Sequence, residues 1–193
     1  MIHDLIKKAR TFRRYKEEKK ISREVLTELV DCARLSASPR NQQSLKFKIT
    51  DTPEERAKLF KHTAWAGALK DWPGPEEGER PAAYILIFDD LNIEPEAKKR
   101  WEGTACGIAA QSVVLAAAEK GIGSCMIAAL NRQGITRDFE IPEHLNLLLV
   151  IALGEPAEIV KLEEMKPGDS FNYYRDKNNI HHVPKRPLDE LLI

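Results

Sequence analysis

Gly103-Thr104-Ala105-Cys106-Gly107-Ile108-Ala109-Ala110-Gln111-Ser112-Val113-Val114-Leu115-Ala116-Ala117-Ala118-Glu119-Lys120-Gly121 is the stretch on which the fold turns. Alanine and aliphatic residues occupy nearly every face of its helical projection, which predicts a helix over 103–120 buried all round and stopped by Gly121. Such a helix needs partners on several sides. Downstream, residues 124–129 and 146–153 read as strands, with a short helix over 131–139 between them. Upstream, residues 82–88 read as a buried strand and 47–50 as an alternating one. Between those two, Thr52-Pro53-Glu54-Glu55 combines an N-cap, a proline at the first helical position and a capping-box glutamate.

Two helices open the chain. Ile2, Leu5, Ile6 and Ala9 share one face of the first. Ser22 caps the second, Glu24 favours its first turn, and Val25, Leu26, Leu29, Val30 and Ala33 form its apolar stripe, which should end near Pro39. The order is helical first, then strands alternating with helices, in one domain over 1–193.

Two segments stand apart. Residues 71–81 are a loop by proline and glycine content; with Trp65 and Trp72 close by it is a candidate lid, and otherwise a passive surface loop. As a lid, its Glu76, Glu77 and Glu79 would disfavour anionic acceptors. From about residue 165 the chain has too few aliphatic residues to form a core alone. This C-terminal arm is expected to lie against the rest of the protein or a neighbouring subunit.

Thirty basic residues balance thirty acidic ones among 193, so no long-range field holds this protein on nucleic acid or an anionic membrane. The longest apolar run, 147–153, is too short to span a bilayer, and Met1-Ile2-His3-Asp4 lacks the apolar stretch of a signal peptide; a cytoplasmic protein is expected. Cys32, Cys106 and Cys125 have neither disulfide nor zinc spacing, and no metal site is expected. There is no phosphate loop, no Rossmann glycine fingerprint and no G-x-S-x-G.

Arg10-Thr11-Phe12-Arg13 sets two guanidinium groups and a hydroxyl close together, which suits a phosphate monoester with a second anionic group nearby; alone, it would be a solvated basic helix end. Ser36-Ala37-Ser38-Pro39-Arg40-Asn41-Gln42-Gln43 would, alone, be a capped loop. Together and in this order they resemble the nitroreductase family. Members carry R-S-x-R-x-F near the N-terminus, here Arg10-Thr11-Phe12-Arg13-Arg14-Tyr15. A helix then leads to A-P-S-A-x-N-x-Q-x-x-x-F, here residues 36–47. The alanine-rich helix, its sequel Gly121-Ile122-Gly123-Ser124-Cys125-Met126-Ile127, Leu153-Gly154-Glu155-Pro156 and Pro184-Lys185-Arg186 also fit.

The resemblance implies an α+β fold, a three-layer α/β sandwich whose mixed central sheet is flanked by helices, assembled as an intertwined homodimer with an FMN at each end of the interface. Arg10 and Thr11, with Arg186 and Lys185, would hold the FMN phosphate, and Arg13 would reach N1 and O2 of the flavin. From the other subunit Ala37, Ser38, Pro39 and Asn41 would line the ring, backed by Met126, Ile127, Ala128 and Ala129. Thr11 stands where serine is usual, Ala105 where relatives often have an acid, and Met126 where many have tryptophan. The polar residue that many relatives place beside the flavin has no clear match in 63–69. The implied activity is an NADH- or NADPH-dependent reduction of a small acceptor such as a nitroaromatic or quinone, by a ping-pong cycle. The alternatives are other flavin chemistry on the same fold (reductive dehalogenation or dehydrogenation), a flavin-binding protein without turnover, and an interaction domain without flavin.

Overall fold

β2 (Ala83–Asp90) is buried along its whole length because it lies inside a four-stranded sheet covered on both faces. The computed structural model describes residues 1–69, 71–93 and 101–193. β2 is flanked by β1 (Leu45–Thr50) and β4 (Leu145–Gly154), and β3 (Gly123–Ile127) lies outside β4, giving the order β1-β2-β4-β3. These four strands pair antiparallel throughout. The parallel element is a bridge between Thr11 and Ser124, by which the N-terminal segment extends the sheet beyond β3.

Alternation along β2 sends its side chains into two cores. Ala83, Ile85 and Ile87 pack with α2 (Arg23–Arg34) and α4 (Glu102–Glu119), whereas Tyr84, Leu86 and Phe88 pack with Leu59, Trp65, Ile135 and Tyr15. Leu59 belongs to α3 (Pro53–Phe60) and Ile135 to α5 (Arg132–Asp138). The result is the expected sandwich: helices, sheet, helices.

The helix ends follow their sequence signals. Ser22 accepts from the Val25 N–H, Thr52 from Glu55 and Asn131 from Gly134. Gly121, at φ +74°, ends α4, with the Ile122 N–H donating to the Ala117 carbonyl and the Gly121 N–H to Ala118.

Within one chain α4 is not buried all round. Ala105, Cys106, Ala109, Ala110, Val113, Val114 and Ala117 are covered, but Thr104, Gly107, Ile108 and Gln111 are exposed, because α2 and the sheet reach only one side. α1 (Ile2–Lys8) buries no residue, and its Ile2 and Ile6 are exposed.

The segment expected to behave as an arm from about residue 165 is held by its own chain at Tyr174–Arg175 and His181–Lys185. β5 (Val160–Glu164), β6 (Tyr174–Arg175) and β7 (His181–Lys185) form a second sheet, order β5-β7-β6. Large apolar or aromatic side chains stand exposed at Phe171 and Tyr174 within this stretch and at Leu188, Leu191, Leu192 and Ile193 beyond β7. Residues 71–81 form an irregular loop, tied down by Glu79 to Arg14, by the Gly78 N–H to Glu17, and by Arg175 lying 4.2 Å over the Trp72 ring. These anchors hold the loop against the body of the chain in this conformation.

Candidate functional site

Residues 12–15 run across the ends of β3 and β4, and two glycines let them lie close. A Cβ on Gly154 would come within 2.8 Å of the Tyr15 ring, and one on Gly123 within 2.8 Å of Pro156 and 2.9 Å of Phe12. The Phe12 N–H donates to the Ser124 carbonyl, the Tyr15 hydroxyl to the Phe12 carbonyl, and the Ala157 N–H to the Arg14 carbonyl. Glu158, with a side chain only 1% exposed, accepts from the backbone N–H groups of Arg13 and Arg14 and from the Arg175 guanidinium at 2.8 Å. Its carboxylate thus fixes the strand-like run and neutralises Arg175.

Extended backbone sends neighbouring arginines to different environments. Arg14 makes a two-pronged pair with Glu79, at 2.5 and 2.6 Å, which raises its pKa. The Arg13 guanidinium is buried and, among the described residues, meets no carboxylate. It donates to His181 Nε2 at 3.0 Å and lies 4.5 Å over the Tyr173 ring. An arginine cannot give up its proton here, so His181 Nε2 is the acceptor and the ring proton sits on Nδ1. Burial, then the charges of Arg13, Arg175 and His182, push the His181 pKa down to about 4.

Arg13 also lines a cavity of about 170 Å³ with Met126, Ile127, Ala128 and Ala129, the residues expected to back a flavin ring. Ala64, Trp65, Ala66 and Gly67 also line it, tied to the 126–130 segment by the Ala64 N–H to the Ala129 carbonyl and by the Thr63 to Leu130 bridge. Ala66 adopts φ +43°, a left-handed conformation unusual for a residue with a Cβ. The 63–69 region therefore reaches this cavity through the turn at 64–67.

Ala37 and Ser38 face a different cavity, about 330 Å³ between α2, β1 and α4, lined also by Val30, Ala33, Phe47, Ala105 and Ala109. The two cavities share no lining residue. Pro39–Asn41 forms a single 3-10 turn, and Arg40, Asn41 and Gln43 all have φ near +55°. Ser38 Oγ accepts from the Gln43 N–H at 3.0 Å, and Asn41 is exposed. Strain concentrated in one short loop is a feature of ligand-holding segments.

Arg10 and Thr11 precede the buried run. Thr11 is exposed beside Ser124, while Arg10 donates to the Ile6 carbonyl at 2.6 Å and keeps a buried Nε with no partner. An orphaned guanidinium nitrogen here and an arginine without a carboxylate at 13 suit a ligand with two anionic or electron-rich ends, as FMN has. Lys185 and Arg186, at the end of β7, are exposed, and among the described residues no side-chain hydrogen bond or ion pair joins them to Arg10. Sequence reasoning missed Tyr173, His181, Glu158 and Arg175. The available signal was alternation in β7, which puts His181 inward against Arg13 and His182 against Glu163 and Asp176.

Among the described residues no group of His, Cys, Asp or Glu could hold a metal ion, and no helix is long and apolar enough to cross a membrane. A family model for the nitroreductase family matches residues 6–155. A protein of Methanothermobacter thermautotrophicus, provisionally named NADH dehydrogenase/NAD(P)H nitroreductase, is 27% identical over 159 residues, covering 80% of this chain and 77% of the relative. Iodotyrosine deiodinase of Thermotoga neapolitana is 24% identical over 172 residues, covering 81% and 89%. Among solved structures, an FMN-dependent nitroreductase from Clostridium difficile R20291 superposes with a TM-score of 0.63 at 24% identity, covering 82% and 88%.

Proposed function

Because the chain belongs to the nitroreductase family of oxidoreductases, we propose that it binds FMN in composite sites of a homodimer and passes electrons from NADH or NADPH to a small acceptor such as a nitroaromatic or quinone. The observation that carries this reading is Arg13: a buried cation with no carboxylate partner, in one cavity with Met126, Ile127, Ala128 and Ala129. FMN, when bound, supplies hydride acceptance and donation at N5. Arg13 holds a fixed positive charge for the N1 and O2 edge, where electron density gathers on reduction. Arg10 and Thr11 bind the phosphate, joined by Lys185 and Arg186. The names of the relatives, one for NAD(P)H and one for FMN, support the same reading.

The partner subunit supplies Ala37, Ser38, Pro39 and Asn41. Support comes from the separate cavities of one chain, and from the exposed apolar residues of α1, of α4 and of the stretch 188–193, which call for a large interface. The C-terminal arm, from about residue 165, packs on that partner through exposed side chains that include Phe171, Leu188 and Leu191. With donor and acceptor visiting one open face in turn, the cycle is ping-pong. Three free cysteines, with burial pushing Cys106 and Cys125 each up to about 11, suit a cytoplasmic setting. The test is spectroscopic: the purified protein should be yellow or take up FMN in preference to FAD, and oxidise NADH or NADPH when a quinone or nitroaromatic is present. A colourless protein that ignores added FMN refutes the reading.

A second reading, reductive dehalogenation, is favoured by the relative named iodotyrosine deiodinase. Iodide release from an iodinated phenol, with reduced flavin as electron source, distinguishes it from quinone or nitro reduction.

A further inference from the structure

We propose that His181 and Tyr173 are positioning residues that hold Arg13 as a buried guanidinium without a carboxylate, leaving its whole charge to an electron-rich ligand in the cavity. This rests on the role proposed for Arg13 above and names what sets its strength.

The surroundings of Arg13 are arranged to avoid neutralising it. Arg14 and Arg175 on either side are each paired with a carboxylate, Glu79 and Glu158. Glu158 also accepts from the backbone of Arg13, yet its oxygens are taken by two N–H groups and by Arg175. The side chain of Arg13 turns instead to an imidazole nitrogen and an aromatic face, which orient a cation and cancel none of its charge.

Both partners are fixed from elsewhere. The backbone N–H of His181 donates to the Ile159 carbonyl, and β7 pairs in parallel with β5, so the ring is carried by a sheet and not by a loop. Tyr173 packs its ring 5.2 Å from that of His181 and its hydroxyl accepts from the Ala68 N–H, next to the cavity-lining residues 64–67. Burial and the adjacent guanidinium keep His181 neutral, with a pKa near 4. Were a glutamate in its place, the same geometry would form an ordinary ion pair and withdraw the charge from the cavity.

The experiment compares His181→Glu and His181→Gln, with Arg13→Gln as reference, by the midpoint potential of bound FMN in the dimeric protein. Arg13→Gln and His181→Glu should each lower the preference for reduced over oxidised FMN by about tenfold, which is about 30 mV for a two-electron couple. His181→Gln keeps a neutral acceptor and should stay within about twofold. A merely structural role would perturb the two His181 variants alike. Nitrogen NMR of His181 in the unaltered protein gives an independent reading that needs no variant: a neutral ring protonated on Nδ1 between about pH 6 and 8. If Arg13→Gln lowers the potential and His181→Glu does not, or if the ring is protonated on Nε2, this inference is overturned. If Arg13→Gln itself leaves the potential unchanged, the assignment of Arg13 falls, and this inference with it.

Discussion

Acidification should destabilise this protein through one identifiable ring. His181 has its pKa depressed from the ordinary 6.5 to about 4, mainly by burial and next by the Arg13 charge, with Arg175 and His182 adding to it. The unfolded chain takes up a proton near pH 6.5, while the folded one declines it until about pH 4. The stability this provides is fully present above pH 6.5 and is lost as pH falls through that window, totalling about 3 kcal/mol at 1.36 kcal/mol per unit. At about pH 4.5 most of the loss, about 2.5 kcal/mol, should already be visible. The assay is denaturant unfolding of the apo protein at about pH 7 and pH 4.5, at fixed protomer concentration, so that neither flavin binding nor mass action contributes. Other groups titrate in the same range, and the readout is therefore the difference from His181→Gln, whose side chain cannot take the proton. The variant should lose about 2.5 kcal/mol less over that interval. Equal losses in both proteins would show that His181 is not buried as a neutral acceptor, and the account of Arg13 built on it would be refuted.

Arg10→Ala should chiefly weaken FMN retention with little change in potential, since Arg10 faces a phosphate charged in both redox states; gel filtration with flavin counting checks this, and a large potential shift would reverse the assignment. Gly154→Ala places a Cβ 2.8 Å from the Tyr15 ring and should cost about 1–3 kcal/mol in unfolding experiments, because ring and backbone must move apart. Coexpressing an Arg10→Ala/Arg13→Ala chain with a Ser38→Ala/Asn41→Ala chain should restore one flavin site per heterodimer. A doubly tagged heterodimer holding no more FMN than either mutant homodimer rules out a shared site.

Much of the fold was legible because its signals are local. Ser22, Thr52, Asn131 and Gly121 each act within one turn of the helix end they cap, and the unbroken apolar run in β2 announces a strand covered on both faces. The basic run at 10–13 and the segment 126–129 were also legible as candidate site components, and one chain brings Arg13 to the latter. What sequence could not supply were relations between distant segments. α4 has small residues on every face, but composition cannot say which side its own chain leaves uncovered. Arg13 and Arg14 are the same residue type in adjacent positions, and nothing in their order distinguishes a structural ion pair from a free cation. Tertiary structure decides it: alternation along an extended segment sends Arg14 to Glu79 and Arg13 to His181, from a strand 168 positions away. The sequence by itself therefore determined the elements, their caps and the candidate groups. Only packing determined which charges are cancelled, because that depends on distances of a few ångströms between residues far apart in the chain.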